Sequence, residues 1–271
     1  MVPVPMDRLA EIIAHKRTEI APVVARADKL RAAALERNEF LSLEEALARD
    51  SALGLGLVAE VKKASPSAGV IAADTDPVEQ AKRYAAAGAS AISVLTDEKF
   101  FHGRLEYLTR IRQAVGVPVL RKDFIVHEAQ IYEAVVAGAD AILLIIAALE
   151  RDDYLRLLDT ARLFQLDVLV EVHDEAEMES ALDSEARILG VNNRNLRTFE
   201  VDLETTRRLA GMVDGSRLLV SESGIRTAAD ARLVKDWGAD AVLVGEALMR
   251  APSVEDLARA IMLADDGGAP A

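Results

Sequence analysis

The sequence contains no cysteine, which excludes disulfides, thiolate metal sites and catalytic thiols. It also lacks any long cluster of basic residues. Lys and Arg number 32 against 45 Asp and Glu, a formal charge of −13. That balance favours solubility and argues against nucleic acid or an anionic membrane as the main partner. An anionic small molecule remains compatible, because a local site can be positive inside an acidic chain. Long apolar runs are missing too: the longest, AILLIIAAL at residues 141–149, is too short to span a bilayer. The start, MVPVPMDRLAEIIAHKRTEI, lacks the uninterrupted apolar stretch of a signal peptide, and a cytoplasmic protein is the expectation. The four histidines lie too far apart for a local metal motif, so neither metal nor cofactor is expected.

What the chain does have is length and hydrophobic content. Its 271 residues, 51% of them hydrophobic, suffice for a sizeable core, in one large barrel or two smaller domains. One phrase recurs: GASAISVL from Gly88, GADAILLI from Gly138 and GADAVLVG from Gly238. Each follows a helical pattern (DPVEQAKRYAAA, HEAQIYEAVVA, RTAADARLVKDW). The glycine suits the left-handed end of a helix, and the apolar run after it suits a strand buried on both faces. A repeat of helix, Gly-Ala and strand points to a parallel sheet of βα units.

Further strands are expected near residues 57–63, 117–122, 167–172, 187–192 and 217–222, with helical patterns such as LEYLTRIRQAV, DDYLRLLDTARLF, EAEMESAL and LETTRRLA between them. Together these make eight strand–helix units, the number in a (β/α)8 TIM barrel of the α/β class. An open doubly wound sheet competes, but no GxGxxG opens any helix. Residues 1–56 read as a helical extension packed on a barrel of residues 57–271. Leu9, Ile12, Ile13 and Ile20 form an apolar stripe, and Ser42 caps LSLEEALARD. A lid over the barrel mouth is the sharper reading of the same segment. The tail LADDGGAPA is polar and small, and is expected to be frayed.

Barrels of this kind carry their chemistry at the C-terminal ends of the strands. There the sequence has Glu60 and Lys62, Lys122 with Asp123 and Phe124, Glu171, Asn192, Glu222 with Ser223 and Gly224, and Gly245. Strand alternation puts Glu60 and Lys62 on one face. Facing the barrel interior, these groups would gather carboxylates, lysines and an amide at one mouth. Any single pair could equally be a structural ion pair; charge at the same end of strand after strand points to an active site. The glycines of SESGI and VGEALM suit close approach of backbone N–H groups to a phosphate, with a short helix at Glu246–Met249 and with Ser65 and Lys62 nearby.

The stretches AEVKKASPSAG, LTDEKFFHG, VLRKDFIVHEAQI, LVEVHD, LGVNNRNLRTFEVD, VSESGI and VGEALM together resemble the indole-3-glycerol phosphate synthase family, in order across nearly the whole barrel. The resemblance implies ring closure, decarboxylation and dehydration of 1-(2-carboxyphenylamino)-1-deoxyribulose 5-phosphate in tryptophan biosynthesis. It implies Lys122 as general acid for ring closure and Lys62 as a contact to substrate anions and an acid in dehydration. Glu171 would be general base or dehydration partner, with Glu60, Asn192 and Glu222 positioning substrate and lysines. Arg194 would orient substrate. Ser65, Ser223, Gly224, Gly245 and the backbone at Glu246 would hold phosphate, and Phe101 and Phe124 would wall the aromatic end. Lys63 is read as structural, and His15, His102, His127 and His173 as non-catalytic. Partners reduce to the phosphorylated small molecule, with no nucleic acid or membrane, and a monomer is expected. Phosphoribosylanthranilate isomerase, on the same fold, would be expected to use a cysteine at the end of the first strand. A non-catalytic phosphometabolite binder would not need Glu60 and Glu171 close to an anion.

Overall fold

The computed structural model describes residues 8–51, 54–65, 69–70, 75–195, 198 and 200–263. The Ser65 side chain, the turn around Pro66 and the tail from Ala264 onward lie outside the described residues. Eight parallel strands close into a barrel in chain order. They are β1 Gly56–Val61, β2 Ala91–Leu95, β3 Val119–Lys122, β4 Ala141–Ile145, β5 Asp167–Val172, β6 Ile188–Asn192, β7 Leu218–Glu222 and β8 Ala241–Val244. β8 closes the ring against β1 through Gly56↔Ala241 to Ala59↔Val244. The chain is thus a (β/α)8 TIM barrel, with strand ends only slightly displaced from the sequence reading. Lys62, for example, sits just beyond β1.

Alternation along the strands builds two apolar layers. Val58, Leu120, Leu143, Leu169, Val220 and Leu243 fill the barrel interior, while Leu57, Ile92, Val119, Ile142, Val170 and Val242 pack outward onto the helices. The recurring Gly-Ala phrase is the joint between the two element types. Gly88, Gly138 and Gly238 take φ of 96°, 100° and 103°, a region costly for any residue with a Cβ. Each lets the chain leave a helix and drop directly into β2, β4 or β8.

Among the described residues four helices precede the barrel: α1 Arg8–Glu19, α2 Ala21–Val24, α3 Ala27–Ala34 and α4 Leu43–Ser51. α4 closes the N-terminal end of the barrel, where Leu43 and Leu47 are fully buried in the interior layer. The Ser42 cap accepts from Glu45 N at 3.1 Å. Ser42 Oγ also donates to Asp167 Oδ2 at 3.0 Å, as does Glu44 N, fixing the helix to the start of β5. Buried Asp140 makes a second tie at that end, accepting from Val119 N at 3.0 Å, Leu41 N at 3.1 Å and Arg37 Nη2 at 2.7 Å.

α1 lies at the opposite end. Lys16, 3% exposed, is ion-paired with Asp97 after β2 and Asp123 after β3, both at 2.9 Å, and with Glu19 at 2.5 Å. Burial works against the ammonium charge, but Asp123 and Asp97 outweigh it and raise the Lys16 pKa. An ammonium among three carboxylates is well compensated, whereas Lys16 without them would be a buried, unpaired charge. The extension therefore touches both ends of the barrel.

Candidate active site

The C-terminal ends of the strands open into a cavity of about 850 Å³, the size of a pocket for a small organic molecule. Glu60, Lys62, Phe101, Lys122, Phe124, Glu171, Asn192, Arg194, Glu222, Ser223, Gly224, Gly245 and Glu246 all line it. Among the residues singled out from sequence, only the Ser65 side chain lies outside the described residues.

Two clusters of charged side chains occupy the floor. Lys122 Nζ stands 2.7 Å from Glu222 Oε2 and 3.3 Å from Glu171 Oε2. Lys62 Nζ is 2.6 Å from Glu60 Oε1. Both arise from local geometry: Glu60, Lys122, Glu171, Asn192 and Glu222 face inward at or one residue before their strand ends, and the parallel register sets Asn192 beside Glu222. The carboxylates need room that only glycine gives. A Cβ on Gly190 would collide with Glu222 Oε1, and one on Gly245 would stand 2.5 Å from Glu60 Oε1.

The two glutamates around Lys122 differ in their surroundings. For Glu171 burial disfavours the charge, but Lys122, His173 and a hydrogen bond from Asn192 Nδ2 at 3.1 Å hold its pKa down to about 2. For Glu222 burial dominates. With the charges of Glu171 and Glu60 it outweighs Lys122 and raises the pKa to about 7, and Oε1 has no hydrogen-bond partner among the described residues. Lys122 is disfavoured by burial yet held charged by Glu222, Glu171 and Glu60, so its pKa lies above the ordinary lysine value. Near neutral pH the site therefore contains a firm ammonium, a firm carboxylate and a carboxyl close to its midpoint. Groups whose environments push their pKa values apart are suited to acid and base steps in one pocket.

Asn192 links this floor to the rim. Its Oδ1 accepts from Ser223 Oγ at 2.9 Å and from Arg194 N at 3.1 Å. Ser223 takes φ of 64°, unusual for a residue with a side chain. Its carbonyl accepts from Asn193 Nδ2 at 3.1 Å, and Asn193 is itself held by Ser221 and Thr206. The serine and Gly224 are thus set in a rigid turn at the cavity edge, beside Gly245 and the short helix Glu246–Arg250. On the other side Phe101 and Phe124 face each other with centroids 6.0 Å apart.

Some neighbours are not assigned to the site from the sequence, where Leu9 and Ile12 read as an apolar stripe and His173 as non-catalytic. Arg8, Leu9 and Ile12 of α1 line the cavity, as do Arg226 and Arg250, and sequence alone does not say where α1 docks. His173 stands 3.2 Å from Glu171 through Nε2. The signal existed in that case, since Glu171 and His173 have the same spacing of two as Glu60 and Lys62. The other histidines have ordinary duties: His127 caps the helix Glu128–Ala137, His102 ends the helix Glu98–Phe101, and His15 packs against Phe100. Lys63 turns away to lie over the Tyr107 ring at 5.4 Å.

Comparison with known proteins agrees with this picture. Among solved structures the chain is similar to a 3-hexulose-6-phosphate synthase, with a TM-score of 0.63 and 15% identity over 78% of this chain and 99% of that one. It is also similar to a thiamine phosphate pyrophosphorylase from Pyrococcus furiosus, with a TM-score of 0.58 and 20% identity over 79% and 95%. At such identities the likeness is one of fold. Sequence relatives are much nearer. An indole-3-glycerol phosphate synthase from Roseiflexus sp. is 47% identical over 93% of this chain and 96% of that protein. Proteins of the same name from Halalkalibacterium halodurans and Acetivibrio thermocellus are 51% identical over 80% and 84%, and 50% identical over 76% and 79%. The family model for indole-3-glycerol phosphate synthase matches residues 9–261. This chain belongs to the indole-3-glycerol phosphate synthase family.

Proposed function

We propose that the chain converts 1-(2-carboxyphenylamino)-1-deoxyribulose 5-phosphate to indole-3-glycerol phosphate, carbon dioxide and water, as a carbon–carbon lyase of tryptophan biosynthesis. The observation that carries this reading is Lys122, partly buried between Glu171 and Glu222 on the floor of a cavity with a second lysine–glutamate pair. Bond formation between the carboxylate-bearing ring carbon and the ketone carbon places negative charge on the ketone oxygen. The Lys122 ammonium is the proton source for that oxygen, and a positioned acid typically contributes about 10²–10⁴-fold. Carbon dioxide then leaves, and its bonding electrons restore the aromatic ring. The new hydroxyl departs as water with a proton from an acid, for which Lys62 is available. Glu171, ionised and at the same floor, takes the proton from the carbon next to nitrogen, which completes the indole.

The remaining assignments follow from charge and shape. Glu60 and Asn192 orient Lys62 and Glu171, and Glu222 holds Lys122. Ser223, Gly224, Gly245 and the backbone at Glu246 receive the phosphate, with Arg194 directing the substrate and Ser65 contributing from the loop after β1. The phenyl ring lies against Phe101 and Phe124. Residues 1–56 act as an extension packed on the catalytic barrel, supported by the place of Leu9 and Ile12 in the cavity wall. The protein is read as a cytoplasmic monomer. No helix among the described residues is long and apolar enough to cross a membrane, and gel filtration at the mass of one chain would bear out the monomer.

The test is direct. Purified protein supplied with the carboxyphenylamino ribulose phosphate should generate indole fluorescence, and a folded protein that produces none removes the assignment.

A further inference from the structure

One ionisable group stands against the proposed base without lining the cavity. His173 follows the end of β5, and Glu177, in the helix Glu175–Leu182, holds it twice through one oxygen. Glu177 Oε2 is 3.0 Å from the ring Nδ1 and accepts the His173 backbone N–H at 2.9 Å. On its other side Nε2 lies 3.2 Å from Glu171 Oε1, off the hydrogen-bond axis. Carboxylates only accept, so an imidazole between two of them is satisfied by carrying a proton on each nitrogen.

We infer that His173, clamped as an imidazolium by Glu177, is a positioning residue that keeps Glu171 ionised and oriented through the reaction cycle. This rests on the proposed function above. At rest Glu171 has two cationic neighbours, Lys122 on Oε2 and His173 on Oε1, together with the Asn192 amide. Once Lys122 gives its proton to the ketone oxygen, the first cation is gone. Glu171 would then be a buried carboxylate beside a neutral amine, and burial favours its protonated form. His173 does not face the cavity and keeps its charge, so Glu171 remains a base for the later proton abstraction.

The charges around His173 support that state. Glu171 and Glu177 face it directly, Lys122 lies beyond Glu171, and Glu222 lies beyond Lys122. Asp174 is engaged in capping Glu177 N, and Glu175 is paired with Arg208 at the surface. The turn Ile146–Ala148, packed against β5 and the helix Glu175–Leu182, has no ionisable side chain. Burial disfavours the imidazolium, but the two glutamates outweigh it and raise the His173 pKa to about 10.

The experiment compares pH profiles of kcat for wild type, His173→Leu and His173→Gln, with circular dichroism and melting as checks on folding. Loss of a cationic neighbour 3.2 Å from Glu171 should lower kcat of His173→Leu by about tenfold to a hundredfold and move the acidic limb up by about one to two pH units. KM should stay within a few-fold. His173→Gln, whose amide can still donate toward Glu171, should recover part of kcat. In parallel, ¹⁵N NMR of labelled histidine should find the His173 ring doubly protonated near pH 8. Active wild type with an unmoved acidic limb in His173→Leu, or a neutral ring near pH 8, overturns the role of His173. Wild type without product overturns the functional reading instead, while the NMR result still judges the clamp.

Discussion

Replacing Glu222 by Gln should shift stability in favour of the variant, relative to wild type, as pH rises from acid to mildly alkaline. Glu222 is 1% exposed and one of its oxygens has no partner. Burial, with Glu171 and Glu60 nearby, raises its pKa from 4.5 to about 7 despite Lys122. A carboxyl whose folded pKa exceeds its unfolded value contributes stability that is complete below the unfolded pKa. That contribution is lost as pH rises through the folded one. The window for Glu222 therefore runs from about 4.5 to about 7. A shift of that size corresponds to on the order of 3 kcal/mol across the window. Glutamine keeps the volume, cannot ionise, and leaves Lys122 balanced by Glu171 and Glu60. Urea denaturation of both proteins at several pH values between about 4.5 and 8.5 gives the difference in unfolding free energy. His173, whose stabilising contribution is full below 6.5 and lost as pH rises through about 10, titrates in both proteins and largely cancels. The constant cost of losing the Lys122–Glu222 contact cancels as well. The difference should move in favour of the variant by about 2–3 kcal/mol from the acidic to the alkaline end. A flat difference, or one moving the other way, would refute the argument that the fold pushes Glu222 toward its protonated form.

Gly245→Ala should cut kcat/KM by about a hundredfold, since a new Cβ 2.5 Å from Glu60 Oε1 displaces the Glu60–Lys62 pair, and misplacement by about 1 Å costs that much. Unaltered kinetics in a folded variant would remove the tight fit as a requirement. Leu47→Ala tests the opposite end of the barrel. Leu47 is fully buried and far along the strands from the mouth, so stability should fall by about 2–5 kcal/mol in a urea titration. Its kcat at 25 °C should match wild type.

Much of this arrangement could be read along the chain because it depends on short periods. The Gly-Ala phrases mark three helix-to-strand joints, and their φ values explain why glycine recurs there. A spacing of two sets Glu60 with Lys62, and the closed barrel then brings Lys122, Glu171, Asn192 and Glu222 to one mouth. The docking of the N-terminal helices follows no such period. That Lys16 meets Asp97 and Asp123, or that Leu43 and Leu47 plug the barrel floor, depends on the path of a whole segment across the fold. The pattern of α1 shows an apolar stripe but not the surface it covers. His173 is an intermediate case: its spacing from Glu171 was visible, and its i,i+4 partner Glu177 was too. Only the assembled mouth reveals that the two together act on the proposed base.

The central claim is that the ammonium held between Glu171 and Glu222 supplies the proton for ring closure. Single-turnover conversion of the carboxyphenylamino ribulose phosphate by Lys122→Met, followed by indole fluorescence, tests it most directly. The rate of indole formation should fall by about 10²–10⁴-fold in a protein that remains folded and still binds substrate. Indole formation by that variant at close to the wild-type rate would contradict it.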